Sequence, residues 1–459
     1  MKRNTFLVSL GYLFVGAVTA SATSAQTTPR IQFEKYTLPN GLEVILHEDH
    51  STPIVAVDTW YHVGSGDEQV GRTGFAHLFE HIMFIGSQHV PVGSFDQLLE
   101  SAGANNNGST TEDRTNYYET LPSNALPLAL WLDSDRMGFL LPTMDLAKVN
   151  LQREVVKNER RQRVDNVPYG RADEVILAAL YPRSHPYSWP VIGSMADLSA
   201  ASLTDVQNFF KTYYAPNNAT LAIAGDFDPG TVKKLVAQYF GSIPRGPVIQ
   251  RRTTVPAVTI PRDTFLVLED HVQLPRLFYT WHSVRDLSKD DAALDILAQI
   301  VANEKNSRLY KKLVYELQVA QSVGAFQDGG RLDGKFQIDV TPKPGQKVAD
   351  IDRLVQTEIT NVINNGVTAR ELKRAQNSYK ASFLNRLASV LGKAERLNYY
   401  NYIAGNPDFV QQDAARYERV TTADVQRVAK TYLGHPKIIL TVVPEGKKEM
   451  MLTASGGGR

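Results

Sequence analysis

The chain has 459 residues, too many for one ordinary hydrophobic core, so we expect two domains of about 200 residues each. Hydrophobic residues make up 43% and charged residues 21%, which is typical of a globular protein. The formal net charge of +1 gives no reason to expect nucleic acid as a partner. Cysteine is absent from the sequence, which excludes disulfides, thiol catalysis and cysteine-ligated metals.

Residues 1–25 have the features of an export signal. Lys2 and Arg3 supply positive charge, the stretch 6–18 is mostly apolar, and small residues then offer a cleavage site after Ala25. The apolar stretch is too short and too interrupted for a stable membrane anchor. We therefore predict a cleavable signal peptide, no stable membrane insertion, and a periplasmic or secreted mature protein.

Strand-like segments follow the signal. Runs at 33–38 and 42–46 flank the turn sequence of 39–41, Pro-Asn-Gly, which predicts a β-hairpin. Further apolar runs at 54–61 and 219–224 are strand candidates. Strands interspersed with long helical segments predict an α+β fold, with mixed, mostly antiparallel β-sheets packed with α-helices.

His77, Glu80 and His81 form the most informative motif in the chain. Histidines four residues apart lie on one face of a helix and can reach the same metal ion. Zinc accepts such nitrogen ligands and leaves a position for water, whose proton a nearby free carboxylate can take. The order His-x-x-Glu-His is the inverse of the commoner zinc-protease pattern. The motif therefore predicts a zinc site, which needs a third ligand from elsewhere.

A second helix, predicted from about residue 144 to about residue 164, carries two candidates for that ligand. Glu154 and Glu159 are both acidic, and either could complete a site of two histidines and one carboxylate. Each could also be an exposed charge in a helix rich in basic residues. Spacing alone does not decide between the two acids.

The C-terminal half repeats a pattern of the N-terminal half. Asp-Val-Gln followed by Lys-Thr-Tyr occurs at 205–213 and again at 424–432, an offset of 219 residues, and a hydrophobic strand candidate follows each copy. Equal internal spacing favours duplication over chance. At this offset, His77, Glu80 and His81 correspond to about Ile296, Gln299 and Ile300, which are poor metal ligands.

A proline- and arginine-rich segment between the two copies suits an exposed linker. Together these patterns predict a domain organisation. The predicted parts are a zinc-binding catalytic domain at 30–240, a linker at 241–262, a homologous domain without a metal site at 263–450, and a flexible tail at 451–459.

With these features the chain resembles the pitrilysin and insulin-degrading-enzyme family of zinc metallopeptidases, more closely its half-length branch with the mitochondrial processing peptidases. The shared features are the opening hairpin, the inverted motif, the Arg-Glu-Val-Val-x-x-Glu string at 153–159, the His-Pro-Tyr string at 185–187 and the two similar halves. In that family the third ligand lies about 75 to 80 residues after the second histidine. The resemblance therefore selects Glu159, and leaves Glu154 to support the ligands or to lie at the surface.

Together with the predicted signal peptide, the resemblance implies an exported zinc endopeptidase that hydrolyses peptide bonds in short or unfolded polypeptides. One Zn²⁺ per chain would be held by His77, His81 and Glu159. Glu80 would be the general base that takes a proton from the water polarised by zinc.

Two positions depart from the family pattern. Gln152 stands where the family usually has a second acid behind the ligands; an amide can orient a ligand but supplies no charge. Val314 and Gln321 stand where family members often have an arginine and a tyrosine that hold the substrate carbonyl. A hydrophobic side chain cannot donate to a developing oxyanion.

This second departure points to a partner chain. We expect a heterodimer with a homologous subunit that carries the Arg/Tyr pair, with a homodimer also open. The alternative is a non-catalytic assembly or scaffold subunit of the same fold.

A small polar segment is the predicted substrate-binding site. By resemblance, this region forms an edge strand beside the metal, to which an extended peptide can add through main-chain hydrogen bonds. An ordinary surface loop would have the same composition. The residues of the segment are Asn106, Asn107, Gly108, Ser109 and Thr110.

Overall fold

The computed structural model describes residues 30–454. The predicted signal peptide and the last five residues of the predicted tail lie outside the described residues. Two β-sheets, each packed with helices, account for the described chain. The prediction of an α+β fold with two mixed sheets is confirmed.

The first sheet belongs to the N-terminal half. Its strands are β1 (Glu34–Thr37), β2 (Glu43–Glu48), β3 (Ile54–Tyr61), β4 (Asn105–Thr110), β5 (Thr115–Pro122) and β6 (Ala219–Gly225). Their spatial order is β1-β2-β6-β3-β5-β4, and neighbours are antiparallel except for the parallel pair β2 and β6. Within the described chain β4 pairs only with β5, so it forms an edge of this sheet.

The second sheet belongs to the C-terminal half. Its strands are β7 (Thr264–Asp270), β8 (Arg276–His282), β9 (Ala320–Gly329), β10 (Gly334–Pro342) and β11 (Ile438–Pro444). Their spatial order is β7-β11-β8-β10-β9, with β7 and β11 parallel and the other neighbours antiparallel. Here β9 forms an edge, as β4 does in the first sheet.

Helices surround both sheets. Those of the N-terminal half are α1 (Phe75–Ile82), α2 (Ser94–Ser101), α3 (Leu126–Phe139), α4 (Leu146–Arg160), α5 (Ala172–Leu180), α6 (Met195–Ala200), α7 (Leu203–Tyr213) and α8 (Pro229–Phe240). Those of the C-terminal half are α9 (Asp291–Ala298), α10 (Val348–Asn365), α11 (Ala369–Arg386), α12 (Val390–Tyr399), α13 (Val410–Arg419) and α14 (Thr422–Val428). The predicted helix at 144–164 corresponds to α4 and the π-helical turn that continues it over Arg161–Asp165.

The opening hairpin forms at the predicted turn. Gly41 has a φ of +95°, a conformation that favours glycine, and an added Cβ would lie 2.7 Å from the Cβ of Asn217. The side chain of Asn40 donates to the backbone carbonyls of Phe240 and Ile243 at 2.8 and 3.0 Å. The turn is thus fixed against the end of α8.

The repeat in the sequence is also a repeat in the structure. α7 and α14 begin at Leu203 and Thr422 behind the same capping box, a hydroxyl side chain paired with an aspartate three residues on. β6 and β11 follow at the same offset of 219 residues. β3 pairs with β6 in the same register in which β8 pairs with β11. The offset of 219 residues therefore also relates Asp58 to Leu277.

Each half contributes a helix to the sheet of the other half. α12 packs Ala394 and Leu397 on one face of the first sheet, opposite the face that carries α1. α5 packs Ala172 and Ile176 against β8 and β11 of the second sheet. These apolar contacts bury surface between the halves and fix their relative position.

Residues 241–263 contain neither helix nor strand, and most of them are exposed. Arg251 nevertheless anchors the segment, since its guanidinium donates to the carbonyl of His62 at 2.7 Å and lies 5.6 Å from the ring centre of Tyr402. We keep 241–262 as the proposed linker between the two proposed domains.

Among the helices of residues 30–454, none combines the length and apolar character needed to cross a bilayer.

Candidate active site

The helix α1 carries the inverted motif, and an unusual contact fixes its start. Gly74, the residue before the helix, has no side chain with which to cap it. The carboxylate of Glu68 accepts hydrogen bonds from the N–H groups of Gly74 and Ala76 at 3.0 and 2.9 Å, and from the indole of Trp189 at 3.1 Å. Glu68 therefore satisfies two backbone donors that a helix N-terminus leaves free.

Burial raises the pKa of Glu68 to about 8, and the three N–H donors oppose that rise. No local pattern in the sequence marks this residue as a helix cap. The known capping patterns place the capping side chain at the residue that directly flanks the helix, whereas Glu68 lies six residues before Gly74. Only the path of the intervening loop brings its carboxylate to the helix end.

His77, His81 and Glu159 lie together. One carboxylate oxygen of Glu159, from α4, is 3.6 Å from Nε2 of His77 and 3.0 Å from Nε2 of His81. One ligand atom from each residue lies within 4.8 Å of the others. Three ligands at about 2 Å from one ion would be separated by about 3 to 4 Å. The donor set, two imidazoles and one carboxylate, and its spacing both fit a zinc ion.

The charges of these groups suit a metal. Burial and the neighbouring His81 lower the pKa of His77 to about 4, so its imidazole is neutral and keeps a free lone pair. The hydrogen bond with His81 lowers the pKa of Glu159, and burial opposes this effect. Arg163 also contacts the second oxygen of Glu159 at 2.7 Å. Neutral imidazoles and an ionised carboxylate are the forms that bind a divalent cation.

Glu80 is near this group but is held separately. Its carboxylate accepts a hydrogen bond from the hydroxyl of Thr110 in β4 at 2.6 Å. Burial raises its pKa above the ordinary value, which favours proton uptake. Because Glu80 is not one of the three clustered groups, its carboxylate remains available for proton transfer.

β4 lies directly against α1. A Cβ added to Gly108 would lie 2.9 Å from Cγ of Glu80 and 3.3 Å from the ring of Phe84, so only glycine allows this approach. The neighbouring side chains make local hydrogen bonds: Asn106 to Asp96 at 2.8 Å, Asn107 to the N–H of Gly108 at 2.9 Å, and Ser109 to Asn116 at 2.7 Å. The segment predicted to bind substrate is therefore an edge strand beside Glu80.

A cavity of about 590 Å³ opens beside the cluster. Glu80 and His81 line it together with Asn106 and Asn107 of β4 and Gln152 of α4. All its lining residues lie between positions 80 and 152, so they come from the N-terminal half. It offers a space next to the candidate catalytic groups.

Two predicted supporting residues do not contact the ligands. Of the two places left open for Glu154, the structure shows the surface, and its assignment as a support of the ligands is wrong: its side chain is 57% exposed and pairs with Lys157 at 2.8 Å. It lies five positions before Glu159, which turns it by about 140° around the helix. Gln152 lines the cavity but makes no hydrogen bond to either histidine within the described chain, where the buried Nδ1 of His77 has no partner.

The two substituted positions of the C-terminal half lie elsewhere. Val314 packs against the core of the second sheet from the π-helical segment Tyr310–Glu316. Gln321 is exposed near the start of β9. Neither side chain lines the cavity beside the cluster.

His185 makes a structural contact. Its ring stacks on Tyr181 at 4.2 Å, and its Nδ1 accepts the N–H of Tyr187 at 3.1 Å. It does not belong to the metal cluster.

Comparison with known proteins places this site in a family. The family model described as Insulinase (Peptidase family M16) matches residues 43–190, and the model described as Peptidase M16 inactive domain matches residues 200–379. Zinc protease PqqE of Helicobacter pylori is 29% identical over 442 residues, which cover 94% of this chain and 97% of that protein. The probable mitochondrial-processing peptidase subunit beta of Arabidopsis thaliana is 24% identical, covering 89% of this chain and 77% of that protein.

Solved structures share the fold. The crystal structure of a protease from Helicobacter pylori superposes with a TM-score of 0.82 at 25% identity, covering 91% of this chain and all of that one. The first half of the periplasmic protease PqqL from Escherichia coli gives 0.72 at 19% identity, covering 93% of this chain and 95% of that one. The two matching models, the inverted motif and these relatives agree with the resemblance seen in the sequence. The chain belongs to the insulinase family, peptidase family M16.

Proposed function

We propose that this protein is an exported, zinc-dependent endopeptidase that hydrolyses peptide bonds in short or unfolded polypeptides. The observation that carries the proposal is the convergence of His77, His81 and Glu159, within 4.8 Å of one another, beside the separately held carboxylate of Glu80. The description of several relatives as zinc proteases supports it.

His77, His81 and Glu159 would hold one Zn²⁺ per chain. When bound, zinc supplies a Lewis acid that polarises the attacking water and the scissile carbonyl. The neutral state of His77 and the ionised state of Glu159 support this assignment, because both are the metal-binding forms.

Glu80 would carry the proton. As general base it takes a proton from the attacking water and later delivers it to the leaving amine. The hydrogen bond from Thr110 leaves one carboxylate oxygen free for this task and fixes the orientation of the group. Burial next to the cluster favours the protonated form that the second step requires.

β4 would bind the substrate backbone. An extended peptide can pair with the free edge of this strand, which recognises main-chain groups without fixing the sequence. The absence of a side chain at Gly108 supports close approach of β4 to Glu80. Asn106 to Thr110 are the proposed binding segment, and the adjoining cavity could take one substrate side chain.

A homologous partner chain would complete the site. Val314 and Gln321 stand in the place of the family's Arg/Tyr pair, and the C-terminal half does not line the cavity. We propose a heterodimer in which the partner supplies that pair, with a homodimer as the second arrangement. The Arabidopsis relative is described as a subunit, and this chain matches only 49% of the full Escherichia coli PqqL chain. Both relatives support pairing of half-length units.

The periplasm is the proposed location. The Escherichia coli neighbour is described as a periplasmic protease, and the N-terminal residues have the pattern of an export signal.

A non-catalytic scaffold subunit remains the second candidate function. It is favoured by Val314 and Gln321 and by the description of the model matching residues 200–379 as an inactive domain.

The test uses the protein purified from its native host together with any chain that co-purifies. Zinc per chain is measured by elemental analysis, and cleavage of a quenched fluorescent peptide is measured with and without the partner. One zinc per chain and partner-dependent cleavage support the proposed enzyme. Zinc without cleavage in the complete complex would favour the scaffold, and failure to bind zinc would refute the metal site.

A further inference from the structure

The β4–β5 hairpin, which holds Thr110 against Glu80, ends in a tip formed by residues 111–114. On one side a glycine-rich loop receives the tip: the N–H of Ser65 donates to the carbonyl of Thr111 at 3.1 Å, and that of Gly66 to Glu112 at 2.8 Å. A Cβ on Gly64 would lie 2.3 Å from the carbonyl oxygen of Thr111. This side of the junction lies within the N-terminal half.

On the other side the tip contacts the C-terminal half through Asp113. This aspartate is only 7% exposed. The hydroxyl of Tyr187 donates to its carboxylate at 2.8 Å, and the backbone N–H of Arg331 donates to it at 2.7 Å. The N–H of Leu332 in turn donates to the hydroxyl of Tyr187 at 3.1 Å. Asp113, Tyr187 and the loop between β9 and β10 thus form a closed hydrogen-bonded junction.

The junction is closely fitted. A Cβ on Gly330 would lie 2.6 Å from the hydroxyl oxygen of Tyr187, so a larger residue would push the tyrosine away from Asp113. Tyr187 belongs to the His-Pro-Tyr string of the sequence, for which the proposed chemistry has no use. A buried carboxylate that accepts several hydrogen bonds is hard to move without leaving polar groups unsatisfied.

The junction is close to the proposed site along the chain. Asp113 is three residues beyond Thr110, and even a fully extended chain spans no more than about 3.6 Å per residue, so the two are at most about 11 Å apart. Displacement of the tip would therefore shift the end of β4 that contacts Glu80. The free edge of the same strand is where a peptide would add.

We propose that Asp113 and Tyr187 are positioning residues, through which the C-terminal half holds the β4–β5 hairpin in place beside Glu80. The inference rests on the proposed function, since it assigns to the half without a metal cluster the task of placing the substrate-binding strand. Neither residue touches the reacting atoms, and both act through β4.

Tyr187→Phe tests the proposal, with Tyr181→Phe as the matched control. Tyr181 is also buried and also reaches the C-terminal half, but its hydroxyl is 3.5 Å from the carbonyl of Gly334 and does not contact the hairpin. The first readout is hydrogen exchange of the peptide covering 105–111, measured by mass spectrometry. Loss of a hydrogen bond to a charged group should speed exchange there about ten-fold in Tyr187→Phe and leave it unchanged in Tyr181→Phe.

The second readout is kinetic and uses the complete complex. We expect KM for an extended peptide to rise about ten-fold in Tyr187→Phe, with a smaller change in kcat and unchanged zinc content. Asp113→Asn should reproduce both effects, and Tyr187→Phe carries the test if that variant does not fold. Exchange at 105–111 that matches the Tyr181→Phe control would overturn the inference. Absence of cleavage in the wild-type complex would instead refute the proposed function. The hydrogen-exchange measurement would still test whether the junction holds the hairpin in place.

Discussion

The two halves of the chain repeat one fold and differ in the side chains that the fold presents. In the N-terminal half α1 carries His77, Glu80 and His81. At the repeat offset the C-terminal half has Ile296 and Ile300, both fully buried, in the same part of its own fold. Within residues 30–454 only the N-terminal half brings three metal-binding groups together. The scaffold thus accommodates a metal site or a packed apolar core at the same place.

The edge strands of the two sheets also differ in the side chains that they present. β4 carries small polar residues and contacts α1 through Gly108. β9, the corresponding edge of the second sheet, exposes Phe326 to solvent. The half with the candidate catalytic groups also has the edge that a peptide backbone could approach. Under the proposed function, the N-terminal half carries the chemistry and the C-terminal half positions the substrate-binding strand.

The largest expected effect comes from removing the proposed base. Glu80→Gln should lower peptide cleavage by at least about 10³-fold, because the amide cannot accept the proton of water, and should retain zinc. Cleavage of a quenched peptide and zinc content are measured on the same sample. Glu154→Gln, an exposed acid on α4, is the control and should behave as wild type. Retained cleavage in Glu80→Gln would contradict the assignment.

The next effect concerns the third ligand. Glu159→Ala should weaken zinc binding by more than about 100-fold, since a ligand matters more than the residues supporting it. Competition with a chromogenic chelator gives the affinity, and Glu154→Ala on the same helix is the matched control. Equal zinc affinity in the two variants would contradict the assignment of Glu159 as the third ligand.

A gain of function tests the difference between the two halves from the other side. Introducing the family's pair into the C-terminal half, as Val314→Arg with Gln321→Tyr, should raise cleavage by a homodimer of this chain by about 10- to 100-fold, because each copy would then offer the pair to the site of the other. The reason is that the added donors can stabilise the developing oxyanion. The rate per zinc-loaded chain is measured after gel filtration. No gain in a variant that folds and associates as wild type would argue against this placement of the pair.

A smaller effect is expected at the edge strand. Gly108→Ala should lower kcat/KM about ten-fold, because its Cβ would lie 2.9 Å from Glu80 and displace either β4 or the base. Gly230→Ala, whose Cβ would meet nothing closer than 3.4 Å, is the control. An unchanged kcat/KM in Gly108→Ala would show that this close approach is not needed.

The smallest effect is on stability and its pH dependence. Asp58 is fully buried between the first sheet and α12, where Leu277 occupies the equivalent position of the second sheet. Burial raises the pKa of Asp58 to about 7, above its ordinary value of 3.8, although Asn398 and Asn116 donate to it. The folded protein therefore holds a proton that the unfolded chain releases between these values. The free energy of unfolding contributed by this group falls as pH rises through that window.

Asp58→Asn should remove this slope, at most about 1.4 kcal/mol per pH unit. Urea unfolding of the variant and the wild type at pH 5 and pH 7 measures the difference. A slope that is the same in both proteins would exclude Asp58 as its source.

Local patterns in the sequence predicted much of the molecule. The Pro-Asn-Gly turn, the repeated strings and the hydrophobic periodicity act over a few residues, so the opening hairpin, α4 and the repeat could be predicted directly. The spacing of His77 and His81 likewise places both on one helical face. The choice between Glu154 and Glu159 needed the family resemblance, since spacing left both acids open.

Long-range contacts decided the rest. The cap of α1 by Glu68, the approach of Gly108 to Glu80 and the junction of Asp113 with Tyr187 all join residues that the sequence does not mark as partners. The packing of α5 on the second sheet and of α12 on the first sheet also joins residues that the sequence does not mark as partners. The positions of the helices and strands and the types of the ligands could be predicted, because both depend on neighbouring residues. How these elements and ligands come together could not be predicted, because it depends on packing between distant segments of the chain.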